Sequence, residues 1–336
     1  MKTQHSHPIG IDDVIDAQTA LAGVVTRTPL LESAGANARL GGRLLIKAEN
    51  MQRTGAFKIR GAYNCIRQLT TEQKASGVIT YSSGNHAQGV ALAAQLLGTN
   101  ALIVMPDDVP QAKMDATRAL GASIVTFARD DVSSDDEVER LRAETGRTVV
   151  PPSADPRVLA GAGTVATELV EQAAALGAQP DAVLIPCGGG GLTASTAIVM
   201  RALLPQTQVY AVEPELFDDT KRSLAAGKRV GNPKGRRTIC DAIMTPIPNS
   251  LTFPINRDLL AGGLVASDAD VRAAMRFAFE HFCIVVEPGA AVGIAAVLNG
   301  QIDIKGRVIA TVVTGGNIDT VRYCTLINQN LAGQTP

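Results

Sequence analysis

A lysine with small and apolar neighbours is the first residue in this sequence that could do covalent chemistry. Lys58 stands in TGAFKIRGA, residues 54–62, beside Ala56, Phe57 and Ile59. If this segment faces a pocket, burial lowers the pKa of the amine and makes it a nucleophile near neutral pH. Because most lysines are exposed to solvent, an ordinary surface residue is the alternative from this context alone.

A run of four glycines at 188–191 could bind an anionic group. It follows a short apolar run at 182–185 and precedes a helical pattern that begins at Leu192. Successive backbone N–H groups at the start of a helix favour a phosphate. A turn without a ligand is the alternative. No GK[ST] follows the glycines, so the pattern is not the P-loop of a nucleotide triphosphatase.

The same glycines also fit a dinucleotide site. Gly189, Gly191 and Ala194 match G-x-G-x-x-A, and Glu213 ends the next predicted strand at about the spacing of a ribose-binding acid. Taken alone, this pattern indicates NAD.

Two further segments complete a chemical set that favours another cofactor. Residues 82–86, SSGNH, can cap a helix and provide a seat for a carboxylate. Thr314, at the end of an apolar strand pattern, could meet the ring nitrogen of a cofactor. Plain helix capping and a plain turn are the alternatives. A lysine amine, a phosphate cup, a carboxylate seat and a neutral hydrogen-bonding group are all used by pyridoxal 5'-phosphate, whereas NAD has no use for the lysine.

Short apolar strands alternate with helical patterns along the chain, and these elements must position the reactive segments. This order predicts an α/β fold with parallel sheets and with the reactive loops at the carboxyl ends of the strands. We expect a large domain from residues 1–74 plus 152–336 and a small domain from residues 75–151. The predicted strands are 78–81, 101–104, 123–127, 182–185, 209–212 and 308–313.

The composition narrows the classes of partner. Lys and Arg total 31 against 32 Asp and Glu among 336 residues. The chain therefore has no net positive charge that would attract nucleic acid or an anionic membrane. The five cysteines show no CxxC spacing, so neither a disulfide framework nor a zinc knuckle is indicated. No apolar leader and no run of about 18 apolar residues occurs. We therefore expect a cytoplasmic protein with a small-molecule substrate, no nucleic-acid partner and no membrane partner.

These segments, in this order, resemble the fold-type II pyridoxal-phosphate enzymes, specifically the serine/threonine dehydratase and serine racemase family. The resemblance covers nearly the whole chain. It includes TRTPLLES at 26–33, SSGNHAQG at 82–89, PCGGGGL at 186–192, EPGAAVGIAA at 287–296 and TGGNID at 314–319. It implies a tryptophan synthase beta-like fold of two domains, each with a central, mostly parallel sheet flanked by helices, and a homodimer.

The resemblance also implies the contacts of the cofactor. Lys58 would hold pyridoxal 5'-phosphate as an internal aldimine, with Phe57 against its ring and Asn85 on its 3'-oxygen. Thr314 takes the place of the residue that meets the pyridine nitrogen. The backbone that wraps the phosphate would belong to Gly188, Gly189, Gly190, Gly191 and Leu192.

Substrate residues follow from the same resemblance. Ser82, Ser83, Asn85 and His86 would contact the amino-acid substrate. In family members with racemase activity, a serine at the place of Ser83 returns a proton on the cofactor face opposite the lysine, so Ser83 is also a candidate catalytic residue.

A divalent cation, Mg or Ca, is the second group that the resemblance implies. Its ligands would be the carboxylates of Glu213 and Asp219 and the carbonyl of Phe217. In this assignment Glu213 binds a metal rather than a ribose, so the NAD interpretation no longer holds.

The expected activity is that of an ammonia-lyase, which converts a β-hydroxy amino acid to a 2-oxo acid and ammonia. Amino-acid racemisation, of the serine racemase type, and a dehydratase step in hydroxyectoine breakdown are the alternatives. Ala56, Ala162, Ala242 and the segment Pro151-Pro152-Ser153 depart from the family pattern, and several of these changes fall near the expected substrate side chain. A bulkier substrate such as 3-hydroxyaspartate therefore carries similar weight to serine or threonine.

Overall fold

The computed structural model describes residues 7–109, 111–128 and 134–329. Residues 1–6 and 330–336 of the predicted large domain, and residues 110 and 129–133 of the predicted small domain, lie outside the described residues. The described strands are β1 (Leu30–Glu32), β2 (Arg43–Ala48), β3 (Val78–Tyr81), β4 (Ala101–Pro106), β5 (Ser123–Phe127), β6 (Thr148–Val149), β7 (Ala182–Pro186), β8 (Gln208–Pro214), β9 (Gly262–Ala266) and β10 (Val308–Val313).

At least one helix separates each pair of consecutive described strands. The described helices are α1 (Ile11–Leu21), α2 (Ala34–Leu40), α3 (Lys58–Arg67), α4 (Thr71–Ser76), α5 (Asn85–Leu96), α6 (Gln111–Arg118), α7 (Ser134–Thr145), α8 (Pro156–Ala175), α9 (Gly191–Leu203), α10 (Asp219–Ala226), α11 (Thr252–Leu259), α12 (Asp268–Phe282), α13 (Pro288–Leu298) and α14 (Thr320–Asn328). Short 3₁₀ turns lie at Glu49–Met51, Arg53–Gly55 and Asp241–Ile243.

The larger sheet has six strands in the order β1-β2-β10-β7-β8-β9. Only β1, on one edge, runs antiparallel to its neighbour. Both faces are covered, because Leu44 and Ile46 of β2 enter one apolar core while Leu45 enters the other. Burial on both faces explains why the inner strands are continuous apolar runs rather than alternating patterns.

The smaller sheet has four parallel strands in the order β5-β4-β3-β6. All four come from residues within 75–151, the predicted small domain. Helix α3 nevertheless contributes Ile59 and Ile66 to the core on one face of this sheet. The predicted boundary at 74/75 falls inside α4, and the domain limits stay a prediction.

The predicted α/β class with mostly parallel sheets is confirmed. The strands predicted at 78–81, 123–127 and 308–313 have the observed bounds, and the other three predicted strands are one to three residues longer in the structure. None of the described helices is both long and apolar enough to cross a membrane. The loops after β3, β7 and β10 carry the predicted reactive residues, as expected for the carboxyl ends of parallel strands.

Candidate active site

Lys58 is the first residue of α3, and its side chain is half-buried. Its Nζ donates a hydrogen bond of 3.1 Å to the carbonyl of Pro152 and lies 5.0 Å from the centroid of the Phe57 ring. Desolvation lowers the pKa of this amine to about 8, although the negative charge of Glu287 acts in the opposite direction. A neutral, nucleophilic amine is therefore accessible close to physiological pH.

The loop after β10 holds the lysine segment in place. The Phe57 N–H donates to the carbonyl of Thr314 at 3.1 Å, and Ala56 forms an isolated antiparallel bridge with Gly315. Thr314 itself is buried directly after the last residue of β10. The structure thus brings Thr314, Phe57 and Lys58 together, although they are far apart in the sequence.

A glycine allows α5 to pack closely on the start of α3. A Cβ atom at Gly89 would lie 3.0 Å from the backbone carbonyl carbon of Lys58 and 3.0 Å from the backbone nitrogen of Ile59. Contacts this short leave no room for a side chain on α5 at this point. Asn85, at the start of the same helix, is therefore held next to the first turn of the lysine helix.

The Asn85 amide is fixed at both ends. Its Nδ2 donates to Glu287 Oε1 at 2.6 Å, and its Oδ1 accepts from Asn317 Nδ2 at 2.8 Å. Asn317 also donates to the carbonyl of Thr54 at 2.7 Å. Because each end of the amide has a partner of the opposite type, the orientation of Asn85 is set by its neighbours.

Sequence reasoning gave no role to Glu287. The residue is buried at the N-cap of α13, and burial raises the pKa of its carboxyl to about 7, while the hydrogen bond from Asn85 acts in the opposite direction. The available signal was its place: a lone acid directly before the uninterrupted apolar pattern of α13. Gly315 contacts both groups, since a Cβ there would lie 3.0 Å from Asn85 Nδ2 and closer still to Glu287.

The four glycines lead into α9 and are closely surrounded. A Cβ at Gly189 would lie 2.7 Å from Ser153 Oγ, and one at Gly191 would lie 2.8 Å from Ser153 Cβ. Gly190 has φ +82°, and a Cβ on it would lie 2.5 Å from Asn256 Nδ2. Space and backbone conformation both require glycine here.

The carbonyls of this loop have protein partners. Thr252 Oγ1 donates to the carbonyl of Gly189 at 2.7 Å, and Asn256 Nδ2 donates to that of Gly190 at 3.2 Å. In a trans peptide the next N–H points the opposite way from the carbonyl. The N–H groups of Gly190 and Gly191 are thus directed away from Thr252 and Asn256, at the positive end of α9.

A buried hydroxyl without a partner lies beside the same loop. Thr245 Oγ1 has no hydrogen-bond partner among the described residues, and a Cβ at Gly188 would lie 3.4 Å from it. An unsatisfied donor beside a glycine-lined helix N-terminus suits an anion. The residues present therefore fit the phosphate group of the predicted cofactor. Leu192, the second residue of α9, is buried behind the loop.

Lys58 and the glycine loop meet across one short segment. The carbonyl of Pro152 accepts the lysine hydrogen bond, and the next residue, Ser153, contacts Gly189 and Gly191. The amine is therefore beside the loop rather than in bulk water on another face of the molecule. This proximity is what a cofactor with an aldehyde at one end and a phosphate at the other requires.

The predicted substrate residues lie between β3 and α5. Ser82 Oγ accepts a hydrogen bond from the Gly84 N–H at 3.2 Å, and Ser83 is half-buried in the same turn. His86 is buried, and its Nε2 lies 2.9 Å from the carbonyl of Val150. Burial lowers the pKa of His86 to about 3, with the positive charge of Lys58 acting in the same direction.

His86 is therefore neutral at physiological pH. A carbonyl only accepts, so Nε2 carries the proton and Nδ1, which has no partner among the described residues, is an acceptor. A neutral acceptor does not attract a carboxylate. A carboxylate seat in this turn would accordingly depend on the serine hydroxyls and on the N–H groups at the start of α5.

The predicted metal residues lie at the end of β8 and the start of α10. Both oxygens of Glu213 accept backbone hydrogen bonds of 2.8 Å, from Thr220 and Lys221. Asp219 Oδ1 accepts from Asn232 at 2.7 Å, and its Oδ2 is buried without a partner among the described residues. Phe217 is buried in the turn between the two carboxylates.

These two acids are held in an unfavourable environment. Burial raises the pKa of Glu213 to about 8, with a further contribution from Asp219, and burial raises the pKa of Asp219 to about 6. The described part of the chain contains no group of three His, Cys, Asp or Glu side chains placed to hold a metal. Two carboxylates completed by backbone oxygen are, however, a donor set that suits Mg²⁺ or Ca²⁺.

A buried ionic cluster, which sequence reasoning missed, anchors the lysine helix. Arg60 contacts Glu49 through Nε and Nη2, both at 2.8 Å, and Glu168 through Nη1 at 2.7 Å. Lys47 Nζ reaches the other oxygen of Glu168 at 2.6 Å. All four side chains are buried, and two cations balance two carboxylates. The cluster ties the first turn of α3 to α8 and to the end of β2.

Three of the five free cysteines are buried in segments that build this region. Cys65 lies on α3, Cys187 directly precedes the glycine loop, and Cys240 precedes the turn Asp241–Ile243 beside that loop. Burial raises the pKa of all three thiols, to about 12 for Cys65 and Cys240. The other two, Cys283 and Cys324, are exposed.

Comparison with known proteins identifies the family. The family described as "Pyridoxal-phosphate dependent enzyme" matches residues 21–315. The L-threo-3-hydroxyaspartate ammonia-lyase of Saccharomyces cerevisiae is 40% identical over 325 residues, which are 96% of this chain and 98% of the relative. The serine racemase of Homo sapiens is 37% identical over 327 residues, 96% and 95% of the two chains.

A solved structure gives the same result. The T.th. threonine deaminase superposes with a TM-score of 0.87 at 42% identity, covering 93% of this chain and 99% of its own. The predicted resemblance to the dehydratase and racemase enzymes is confirmed. So is the predicted function class, a pyridoxal-phosphate dependent ammonia-lyase for a β-hydroxy amino acid. With a matched family segment, full-length relatives and the site geometry in agreement, this chain belongs to the pyridoxal-phosphate dependent enzyme family.

Proposed function

We propose that this chain is an ammonia-lyase whose substrate is 3-hydroxyaspartate, which it converts to a 2-oxo acid and ammonia. The observation that carries the lyase chemistry is the position of the Lys58 amine beside the glycine loop, across Pro152 and Ser153. The 3-hydroxyaspartate ammonia-lyase from yeast, at 40% identity, supports the choice of substrate.

Lys58 is the base in this proposal. When bound, the cofactor withdraws electrons from the substrate Cα. The Lys58 amine, whose pKa of about 8 leaves part of it neutral, accepts the Cα proton. The β-hydroxyl leaves as water with the proton that Lys58 accepted, and addition of one water to the resulting unsaturated amine releases ammonia and the 2-oxo acid. The carbonyl of Pro152 holds the amine in place through its hydrogen bond.

Two cations near the pocket support a substrate with a second carboxylate. Lys113 Nζ lies 3.9 Å from an oxygen of Asp241, and Arg322 Nη1 lies 3.0 Å from the same oxygen. Burial and the negative charge of Asp241 raise the pKa of Glu287, whereas the positive charges of both cations lower it, so all three charges act on that buried carboxyl. When the Glu287 carboxyl is protonated, Asp241 is the one acid beside these two cations in the described part of the chain, and the local charge then favours a dianionic amino acid over serine or threonine.

A panel of β-hydroxy amino acids tests the substrate. The wild-type chain, with pyridoxal 5'-phosphate, should release oxo acid from 3-hydroxyaspartate with a higher kcat/KM than from serine or threonine. Lys113→Gln should raise KM for 3-hydroxyaspartate by roughly two- to fivefold, and leave KM for serine unchanged. Lys74→Gln, on α4, is the matched control. A preference for serine, or equal effects of Lys113→Gln on both substrates, would contradict the proposal.

Racemisation is the second candidate activity. Ser83 lies in the turn that leads into α5, the helix packed on Lys58, and a serine racemase is among the full-length relatives. A proton returned by Ser83 would invert the substrate. In heavy water, exchange of the Cα hydrogen faster than release of oxo acid would favour this activity, and Ser83→Ala should then remove racemisation while elimination persists.

The finer assignments are also proposals. We propose that Phe57, Asn85, Thr314, Leu192 and the four glycines hold the cofactor, and that Ser82, Ser83, Asn85 and His86 line the substrate site. A divalent cation, Mg or Ca, would bind Glu213, Asp219 and the carbonyl of Phe217. We further propose a cytoplasmic location and a homodimer, and gel filtration of the purified chain would test the homodimer.

A further inference from the structure

The side chain of Ser153 lies directly against the glycine loop. Its Oγ is 2.7 Å from where a Cβ at Gly189 would stand, and its Cβ is 2.8 Å from the corresponding point at Gly191. Within the part of the chain that the structure describes, Ser153 makes no hydrogen bond to this loop, whose Gly189 and Gly190 carbonyls accept from Thr252 and Asn256. A serine hydroxyl thus projects into the space that the glycines keep open.

The hydroxyl is also available to a ligand. Ser153 is half-buried, and its Oγ makes no hydrogen bond to another described residue. A hydroxyl can donate one hydrogen bond, and phosphate oxygens are strong acceptors. The carbonyl of the preceding Pro152 is held by the Lys58 amine. The backbone on one side of Ser153 is therefore tied to the lysine while its side chain faces the loop.

We propose that the Ser153 hydroxyl donates a hydrogen bond to the phosphate of the cofactor, as a side-chain donor added to the backbone N–H groups of the glycine loop. Backbone groups at a helix N-terminus supply only partial charges and fixed directions. The rotatable hydroxyl on the facing segment contacts the phosphate from the side opposite the backbone N–H groups. The same residue then links phosphate binding to the position of Lys58, through one peptide unit.

The inference rests on membership of the pyridoxal-phosphate family and is independent of the proposed substrate. A comparison of two ligands tests whether the Ser153 hydroxyl contacts the phosphate. Pyridoxal 5'-phosphate and pyridoxal have the same ring and aldehyde and differ only in the phosphate. A hydroxyl that contacts the phosphate contributes to the binding of the first ligand and not of the second.

The experiment measures the dissociation constants of both ligands for the cofactor-free chain by equilibrium dialysis. Ser153→Ala should weaken binding of pyridoxal 5'-phosphate by roughly tenfold and change binding of pyridoxal by less than about twofold. Ser153→Thr, which keeps the hydroxyl, should restore most of the affinity. Ser76→Ala, which removes an exposed serine hydroxyl on α4, should alter neither constant, and thermal unfolding verifies that each variant is folded.

Three results would overturn the inference. One is an unchanged affinity of Ser153→Ala for pyridoxal 5'-phosphate. Another is an equal loss for both ligands, which would indicate a role in shaping the pocket alone. The third is a wild-type chain that binds pyridoxal 5'-phosphate no better than pyridoxal, which would also refute the phosphate cup itself. None of these measurements depends on turnover, so an error in the substrate proposal would leave them unaffected.

Discussion

Asn85 and Glu287 are joined by a 2.6 Å hydrogen bond between a side-chain amide and a buried carboxylate. The bond connects the turn after β3 to the start of α13, and Asn317 extends the connection to the loop after β10. Three loops that come from different parts of the chain are thereby held in one arrangement. The predicted cofactor residue Asn85 owes its orientation to a carboxylate 202 residues away.

Glu287→Gln should reduce the pH dependence of stability. Burial raises the pKa of this carboxyl from 4.5 to about 7, so between these values the folded chain holds a proton that the unfolded chain releases. The free energy of unfolding consequently falls as pH rises through this range, by roughly 3 kcal/mol for this group. Glutamine keeps an acceptor for Asn85 but cannot ionise. Urea unfolding of the cofactor-free protein near pH 5 and near pH 8 measures the difference.

Glu32→Gln is the matched control for this measurement. The hydrogen bonds from Arg43 lower the pKa of Glu32, so its carboxylate stays ionised at both pH values. This variant should show the same pH difference as the wild type. If Glu287→Gln also retained the full wild-type difference, the buried acid would not be the group responsible.

Arg60→Met should destabilise the protein strongly. It removes the ionic partner of Glu49 and one of the two ionic partners of Glu168. Among the described residues, Glu49 then keeps only the hydrogen bond from the Thr28 hydroxyl, and Glu168 keeps only Lys47. The expected loss is about 3–5 kcal/mol in the free energy of unfolding. Arg43→Met breaks a half-exposed pair with Glu32 and should cost less than about 1 kcal/mol. Similar losses in the two variants, measured by urea unfolding, would contradict the distinction.

Because Arg60 lies two residues after Lys58 on α3, we expect its contacts to help position the lysine. Arg60→Lys keeps the charge but not the forked contacts with Glu49. We expect this variant to remain folded and to bind pyridoxal 5'-phosphate more weakly than the wild type, as measured by absorbance titration. Wild-type affinity in a variant with clearly reduced stability would show that the cluster supports the fold alone.

Gly89→Ala should disturb the contact between α5 and the lysine helix. The added methyl group would meet backbone atoms of Lys58 and Ile59 at 3.0 Å, so the two helices must separate. A loss of about 1–3 kcal/mol in stability is expected, with weaker cofactor binding. At Gly10 the nearest atom to an added Cβ is 3.9 Å away, so Gly10→Ala serves as the control. Wild-type stability and affinity in Gly89→Ala would show that the contact relaxes freely.

Millimolar Mg²⁺ or Ca²⁺ should stabilise the wild-type chain against heat. A cation between Glu213 and Asp219 would offset the burial of two neighbouring acids, and it would add about 3 kcal/mol at a hundredfold excess over its dissociation constant. Glu213→Gln should lose this response, whereas Glu171→Gln, at an exposed acid, should keep it. If neither metal changed the unfolding midpoint of the wild type, a cation site of this kind would be excluded.

Local patterns were sufficient to predict part of this molecule. The strands, the lysine among small and apolar neighbours at 54–62 and the glycines before α9 each have a signal within a few neighbouring residues. Partnerships across the chain have no such signal. Arg60 and Glu168 are separated by 108 residues, and Ser153 touches the glycine loop only after two chain segments fold together. Glu287 is visible in the sequence as an acid before an apolar helix, but its partner Asn85 is not.

The three buried cysteines provide a built-in monitor of the pocket. Each thiol lies in a different segment: Cys65 on α3, Cys187 before the glycine loop and Cys240 before the turn Asp241–Ile243. Alkylation of a buried thiol requires local opening, so its rate reports how often the segment that carries the thiol separates from its neighbours. Mass spectrometry of the alkylated peptides could therefore show, for each of the three segments, whether a bound ligand slows alkylation of its cysteine, without any introduced label.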